Sequence, residues 1–174
     1  MSAIRPITLS QQQQVIEATA AYIQRAAELL SQDFSMIPVT FNLRGRAAGM
    51  YRVKQDQREI RYNPYIFSKY FEDNLSNTVP HEVAHYVVDC CYGLHKVRPH
   101  GEEWQQLMIA FGVEPSVTCR YDLSGVPQRR QRRFDYRCDC RAHQLSTVRH
   151  NKVQRGTGRY LCKACRQPLQ WVIS

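Results

Sequence analysis

The chain has 174 residues, 43% of them hydrophobic, and its 24 Lys and Arg against 15 Asp and Glu give a formal net charge of +9. That length suits one modest domain with a small appendage, and no apolar run reaches the roughly 20 residues of a membrane-spanning helix, since Asp89 breaks the run after His85. An odd number of cysteines, seven, and an N-terminus without a long apolar core speak against a secreted, disulfide-stapled protein, so the expected setting is the cytoplasm, with no membrane partner.

Residues 9–32 read as an amphipathic helix. Val15, Ile16, Tyr22, Ile23, Ala26, Leu29 and Leu30 recur at helical spacing, and Thr19 fills the turn where the stripe lapses. Ser10 is the expected N-cap, and the glutamines at 11–14 are the exposed first turn. The period then changes to two: Val39, Phe41 and Leu43 alternate with Thr40, Asn42 and Arg44 as in a half-buried strand. Residues 50–53 and 59–62 read as a hairpin across Gln55-Asp56-Gln57, closing a small antiparallel sheet that Asn63-Pro64 ends. Helix returns at about 65–74. A further helix carries His81 and His85 to about Cys91, with Pro80 either in its first turn or kinking a helix that began earlier. Another starts near His100 and passes Trp104, Leu107, Met108 and Phe111 before Gly112 and Pro115 stop it. Cys90, Cys91 and Cys119 read as small buried hydrophobes. Residues 113–135 lack periodicity and form a connector or basic arm, so the organisation expected is 1–127 as one domain and 128–174 as a basic C-terminal segment.

His81-Glu82-Val83-Ala84-His85 fits H-E-x-x-H. On a helix, positions i and i+4 share a face, so both imidazoles reach one Zn²⁺, and Glu82 beside them takes a proton from a water whose pKa zinc lowers. The flanks Val83, Ala84, Val87 and Val88 are apolar. A surface helix with solvated polar residues does not look like this, and polar groups in a buried helix need a partner. A catalytic zinc takes a third protein ligand. His100 is favoured, because Gly101 after it allows close backbone approach, while His95 lies in a polar loop. Glu102 or Glu103 could serve instead in a thermolysin-like arrangement, but both better suit the N-terminus of the following helix, whose dipole favours negative charge. Tyr86 and Tyr121 could in principle stabilise an oxyanion, and neither is assigned that role.

The last third holds all the excess charge: residues 120–174 carry 13 Lys and Arg against three Asp, a balance of +10, whereas residues 1–119 balance at −1. Such asymmetry points to a polyanion, with nucleic acid first. Cys138-x-Cys140 and Cys162-x-x-Cys165 resemble the two knuckles of a zinc ribbon, in which four thiolates hold a segment too small for its own core. The first pair is one residue short, so His143 could replace Cys140 as ligand. Arg129, Arg130, Arg132, Arg133, Arg149, Lys152 and Arg155 are the candidate phosphate contacts, and Phe134, Tyr136, Tyr160 and Trp171 the candidate stacking surfaces for unpaired bases. His150 reads as a phosphate-facing or solvent residue. Charge of this kind predicts sequence-neutral binding.

HEVAHYVV at 81–88, PHGEEW at 99–104 and the cysteine-rich tail resemble the SprT family of bacterial proteins, which is similar to the protease domain of eukaryotic Spartan. His81, Glu82, His85, His100 and Trp104 match the family pattern position by position, and the likeness covers nearly the whole chain. It implies an α+β, zincin-like metalloprotease domain with a His₃ zinc, a glutamate base and a tryptophan packed beneath the metal, followed by a zinc-ribbon-like β segment. It also implies cleavage of DNA-bound or DNA-crosslinked proteins, the activity of the eukaryotic relatives. The expected function is therefore a zinc metallopeptidase associated with DNA, most simply single-stranded, with two zinc ions per chain. The alternative is a nucleic-acid-binding regulatory protein whose zincin core is structural or vestigial; a zinc hydrolase of a non-peptide amide or ester is a third.

Overall fold

The computed structural model describes residues 4–117, 121–128 and 132–172, and the chain divides into two compact units, Met1–Gln128 and Arg129–Ser174, each with its own three-stranded sheet. Among the described residues no helix is long and apolar enough to cross a membrane.

The first unit opens with helix α1 (Leu9–Leu30). Its cap is Thr8 rather than Ser10. Thr8 Oγ1 accepts from the Gln11 N–H, and the Gln11 side chain accepts from the Thr8 N–H, a reciprocal box that satisfies two otherwise orphaned donors. The glutamine run thus has a structural job at its first residue. The buried stripe of α1 is Val15, Thr19, Ile23 and Ala26, while Ile16, Leu29 and Leu30 are exposed, so the apolar face is narrower than its sequence suggests. Thr19 is buried because its hydroxyl is satisfied twice, by the Val15 carbonyl at 2.7 Å and the Tyr62 hydroxyl at 3.1 Å.

Strands β2 (Gly49–Lys54) and β3 (Gln57–Tyr62) form the expected hairpin, turned by Gln55 and Asp56, both at positive φ, the twist-matched geometry of a two-residue turn. The strand predicted at 39–44 shortens to β1 (Val39–Thr40) and pairs parallel to β3, giving the order β1-β3-β2. Only the β2–β3 hairpin is antiparallel in this sheet. The reason is that residues 41–48 pass over the end of β3, pinned by the Leu43 N–H on the Tyr62 carbonyl and by Asn63, whose amide donates to the Gly45 and Ala47 carbonyls. This crossover leaves β2 as an edge strand.

Asn63 also caps α2 (Pro64–Lys69), accepting from the Tyr65 and Ile66 N–H groups. A short α3 (Phe71–Asp73) leads through a π-helical turn at Asn74–Thr78 into α4 (Val79–Tyr92). Pro80 lies in the first turn of α4, which runs on from the π turn, where Thr78 Oγ1 donates to Asn74 Oδ1. Helix α4 is buried nearly all round, through Val79, Val83, Ala84, Tyr86, Val87 and Val88, and packs between α1, β2 and α5 (Glu102–Ala110). A helix so enclosed is central to the core, which places its few polar residues against other elements. Cys90 is half-buried and Cys91 exposed, at the end of α4 where the core gives out, and Cys119 lies outside the described residues.

The second unit is the antiparallel hairpin β4 (Arg133–Arg137) and β5 (Ala142–Ser146), helix α6 (Thr147–Gln154) and strand β6 (Gln170–Trp171), in the sheet order β5-β4-β6. Helix α6 has no counterpart in the sequence reading, because its composition is mostly polar and its two valines, Val148 and Val153, make no apolar stripe. Beyond the named strands, Leu161 and Pro168 form an isolated antiparallel bridge.

Candidate metal centres

Helix α4 presents His81 and His85 one turn apart, and the turn before α5 brings His100 over them. The three Nε2 atoms form a nearly equilateral triangle, 3.1 Å from His85 to each of the others and 3.2 Å from His100 to His81. Nitrogens bound tetrahedrally at about 2.0–2.1 Å from one ion lie about 3.3–3.4 Å apart. The triangle therefore has the dimensions to hold a single zinc-sized ion. Burial holds His81 down to about 4 and His85 down to about 3, with the neighbouring imidazoles adding to the shift, and burial lowers His100 as well. In all three the shift favours the neutral imidazole, the form a metal ligand takes.

The support beneath them is Trp104, fully buried and one turn past His100 on α5. Its ring meets His81 and His100 edge-on at 4.7 and 4.8 Å and lies stacked under His85 at 5.7 Å, while its Nε1 donates to the His81 carbonyl at 3.3 Å. His81 also hydrogen-bonds the Ser116 backbone, an outer contact of the kind that fixes a ligand's orientation. His95 stands apart, exposed in the turn after α4 at positive φ. Glu102 and Glu103 fall in the first turn of α5 and outside the cluster.

Glu82 is buried behind the triangle. Its Oε2 accepts the Tyr51 backbone N–H at 2.6 Å, so edge strand β2 holds the carboxylate directly. Burial pushes its pKa up to about 7, with the Tyr51 N–H pulling the other way, which suits a group that takes and returns a proton near neutrality. Gly49 lies against it: a Cβ there would stand 2.6 Å from Glu82 Cγ and Oε1. The Tyr51 hydroxyl donates to Asp89 Oδ2 at 2.6 Å, and Arg58 Nε donates to the same oxygen at 2.8 Å. Sequence reasoning missed both Tyr51 and Gly49. They are thirty residues from the motif, and only the docking of β2 on α4 reveals them.

Two cavities meet at this point. One, of about 700 Å³, runs along β2 and the 93–99 turn, and the other, of about 500 Å³, lies toward Asp73, Ser116 and Tyr121; both are lined by Gly49, His81 and Glu82. Tyr121 lines the second cavity and bonds Asp73 through its hydroxyl, whereas Tyr86 faces the core and donates to the Ser35 carbonyl at 2.7 Å.

In the second unit Cys138 follows β4, Cys140 lies in the β4–β5 turn, and Cys162 and Cys165 flank a turn closed by the Cys162 N–H on the Gln167 carbonyl. All four Sγ atoms lie within 4.8 Å of one another, with 3.4 Å between Cys138 and Cys140 and 3.6 Å between Cys140 and Cys162. Four sulfurs at about 2.3 Å from one zinc stand about 3.8 Å apart, so the quartet fits a closed site. His143 falls outside the quartet and meets Cys138 Sγ through Nε2 at 3.3 Å.

Arg132, Arg133, Arg149, Lys152 and Arg155 are exposed, whereas Arg129 and Arg130 lie outside the described residues. Arg132 covers the Phe134 ring and Arg149 the Tyr160 ring. Two expectations are corrected here. His150 is buried, stacked on Phe134 at 3.6 Å, edge-on to Trp171 and bonded to the Tyr136 hydroxyl at 3.1 Å, because α6 turns it inward as the unit's main core contact. Tyr136, 1% exposed, is buried with it and offers no stacking face, while Trp171 remains 40% exposed.

A family model for SprT-like proteins matches residues 19–122, which hold the histidine triangle, Glu82 and Trp104. Protein SprT of Vibrio parahaemolyticus is 39% identical over 150 residues, covering 86% of this chain and 87% of its own. Protein SprT of Shewanella oneidensis is 37% identical over 88% of this chain and 95% of its own, and that of Yersinia enterocolitica 35% identical over 99% and 97%. No solved structure matches. With a family model matched over more than half of the chain, from before the first histidine of the motif to beyond Trp104, and relatives 35–39% identical over most of its length, the chain belongs to the SprT-like family.

Proposed function

We propose that this chain is a zinc-dependent metallopeptidase of zincin type that works on proteins associated with DNA. The observation that carries the reading is the triangle of three imidazole nitrogens beside two cavities whose lining includes the buried Glu82, a carboxylate held by the edge of a sheet. A zinc ion held by His81, His85 and His100 supplies Lewis acidity to a water and to the scissile carbonyl. Glu82 takes the proton given up by the attacking water and returns it to the departing amine. The Tyr51 N–H fixes one carboxylate oxygen, which leaves the other to move the proton. A polypeptide suits the surroundings better than a small ester, because two cavities adjoin the site and β2 is an edge strand beside it, against which an extended chain can pair beyond the Tyr51 N–H that Glu82 occupies.

The cysteine quartet is read as a structural zinc site that organises the basic unit, with Cys140 as ligand and His143 as a hydrogen-bond partner of Cys138. Arg149, Lys152, Arg155, Arg132 and Arg133 then serve as phosphate contacts and Trp171 and Tyr160 as stacking surfaces for single-stranded DNA. The test is cleavage of a DNA-bound protein by zinc-loaded enzyme, with and without single-stranded DNA. Wild type is expected to cut and Glu82→Gln to lose activity while keeping its zinc and its DNA affinity. Equal behaviour of the two proteins refutes the peptidase reading.

A further inference from the structure

Asp89 follows Glu82 on α4 by close to two helical turns, so the two carboxylates share a face of the helix, and both are buried. One residue of the edge strand reaches both. Tyr51 gives its backbone N–H to Glu82 Oε2 at 2.6 Å and its hydroxyl to Asp89 Oδ2 at 2.6 Å. In the β2–β3 register Tyr51 stands opposite Ile60 and Val53 opposite Arg58, so Tyr51 and Arg58 project from one face of the hairpin. Arg58 Nε meets the same Asp89 oxygen at 2.8 Å. The Tyr51 ring also rests against Tyr86 of α4, with 6.0 Å between centroids. Burial, with Asp89 beside it, pushes the Tyr51 hydroxyl far above its ordinary range, so it remains a donor.

Strand β2 is hydrogen-bonded to its sheet on one side only, through β3, and Asp89 pins its Tyr51 to α4. The second Asp89 oxygen, Oδ1, is buried and has no hydrogen-bond partner among the described residues. A buried acceptor of this kind costs stability, so Asp89 is poorly explained as a stabilising device and better explained by what its Oδ2 holds. We propose that Asp89 is a positioning residue: by holding the Tyr51 side chain, together with Arg58, it places the Tyr51 N–H on Glu82 and so orients the carboxylate that moves the proton. The kinetic consequence rests on the peptidase reading, whereas the hydrogen bond through which Asp89 acts can be followed without catalysis.

The experiment uses three variants of the zinc-loaded chain. Asp89→Leu removes the acceptor at similar size, Tyr51→Phe removes the donor and keeps the backbone N–H, and Asp89→Asn keeps an oxygen for the hydroxyl. With zinc content unchanged, kcat is expected to fall about tenfold in Asp89→Leu and in Tyr51→Phe, with KM within about twofold of wild type. Asp89→Asn should recover most of that loss. Tyr51→Phe combined with Asp89→Leu should lose no more than either alone, because each breaks the same link. Amide hydrogen exchange followed by NMR reads that link directly. At residue 51 exchange should speed up at least about tenfold in Asp89→Leu, while the amides of α1 and β3 keep their wild-type rates. A purely structural role would speed all of them together, and that result overturns the proposal. So does wild-type exchange at residue 51, or wild-type kcat in both Asp89→Leu and Tyr51→Phe. Where Asp89→Leu does not fold, Tyr51→Phe, which lacks one hydroxyl, carries the same two readouts. A wild type that cleaves nothing while residue 51 alone responds refutes the peptidase reading and leaves the link from Asp89 to Glu82 standing.

Discussion

Replacing Gly49 by alanine tests the link between the edge strand and the carboxylate. The added Cβ would lie 2.6 Å from Glu82 Cγ and Oε1 and 2.8 Å from Thr78 Cγ2, where ordinary contact begins at 3.4 Å, so something must retreat by up to 0.8 Å. Gly49 has no unusual φ, so the effect is steric alone. Glu82 has little room: it is buried, and Tyr51 N–H holds it at 2.6 Å. Overpacking of this kind costs about 1–3 kcal/mol, and a catalytic group displaced by about 1 Å loses on the order of 10²-fold in rate. Gly49→Ala is therefore expected to keep its metal, to unfold at lower temperature, and to lose about 10²-fold in kcat with a small change in KM. Zinc analysis, calorimetric unfolding and peptidase kinetics on one preparation decide the matter. Wild-type stability together with wild-type kcat would show that β2 and Glu82 are not in the contact described.

Zinc analysis of the whole chain should give two ions per molecule; His100→Ala should remove one and leave the basic unit folded, and Cys162→Ala should remove the other. In the metal-free protein, burial keeps His81 near 4 and His85 near 3 against 6.5 in the unfolded chain, so protons bind the unfolded state first. The part of the stability due to these two imidazoles is complete above about pH 6.5 and is lost as the pH drops toward the folded values, whereas Glu82, raised to about 7, binds its proton first in the folded state and offsets part of that loss; in Glu82→Gln, where only the imidazoles remain, unfolding temperatures that stay flat between pH 7.5 and 5 would contradict this. For the second unit, Lys152→Ala should lower the salt slope of single-stranded DNA binding by about 0.7, as read by fluorescence titration at several salt concentrations.

The parts of this molecule that were legible in its sequence are those set by short-range spacing. H-E-x-x-H on an apolar helix, the helix period of 9–30 and the hairpin at 49–62 needed no knowledge of distant contacts, and His100 was reachable because Gly101 marks a close approach, here to the Arg98 carbonyl. What escaped depends on docking. Tyr51 acts through its backbone N–H, which no residue pattern encodes. Asp89 looked like a charge interrupting an apolar run, yet it is buried because Tyr51 and Arg58 arrive from the sheet. His150 was misjudged because its neighbours in sequence are Arg149 and Lys152 while its neighbours in space are Phe134, Tyr136 and Trp171. The N-cap shifted from Ser10 to Thr8, where Gln11 at the third position closes the box, although Gln13 gives Ser10 the same spacing.

The chain has two tryptophans, Trp104 in van der Waals contact with the histidine triangle and Trp171 in the cysteine-bearing unit. Each candidate centre thus comes with its own intrinsic fluorophore. In a Trp171→Phe background, emission from Trp104 alone would follow ion uptake at the three imidazoles, and in a Trp104→Phe background the signal of the other unit would be isolated. The order in which the two centres fill, and the speed at which each empties to a chelator, can be followed by light in the unlabelled protein.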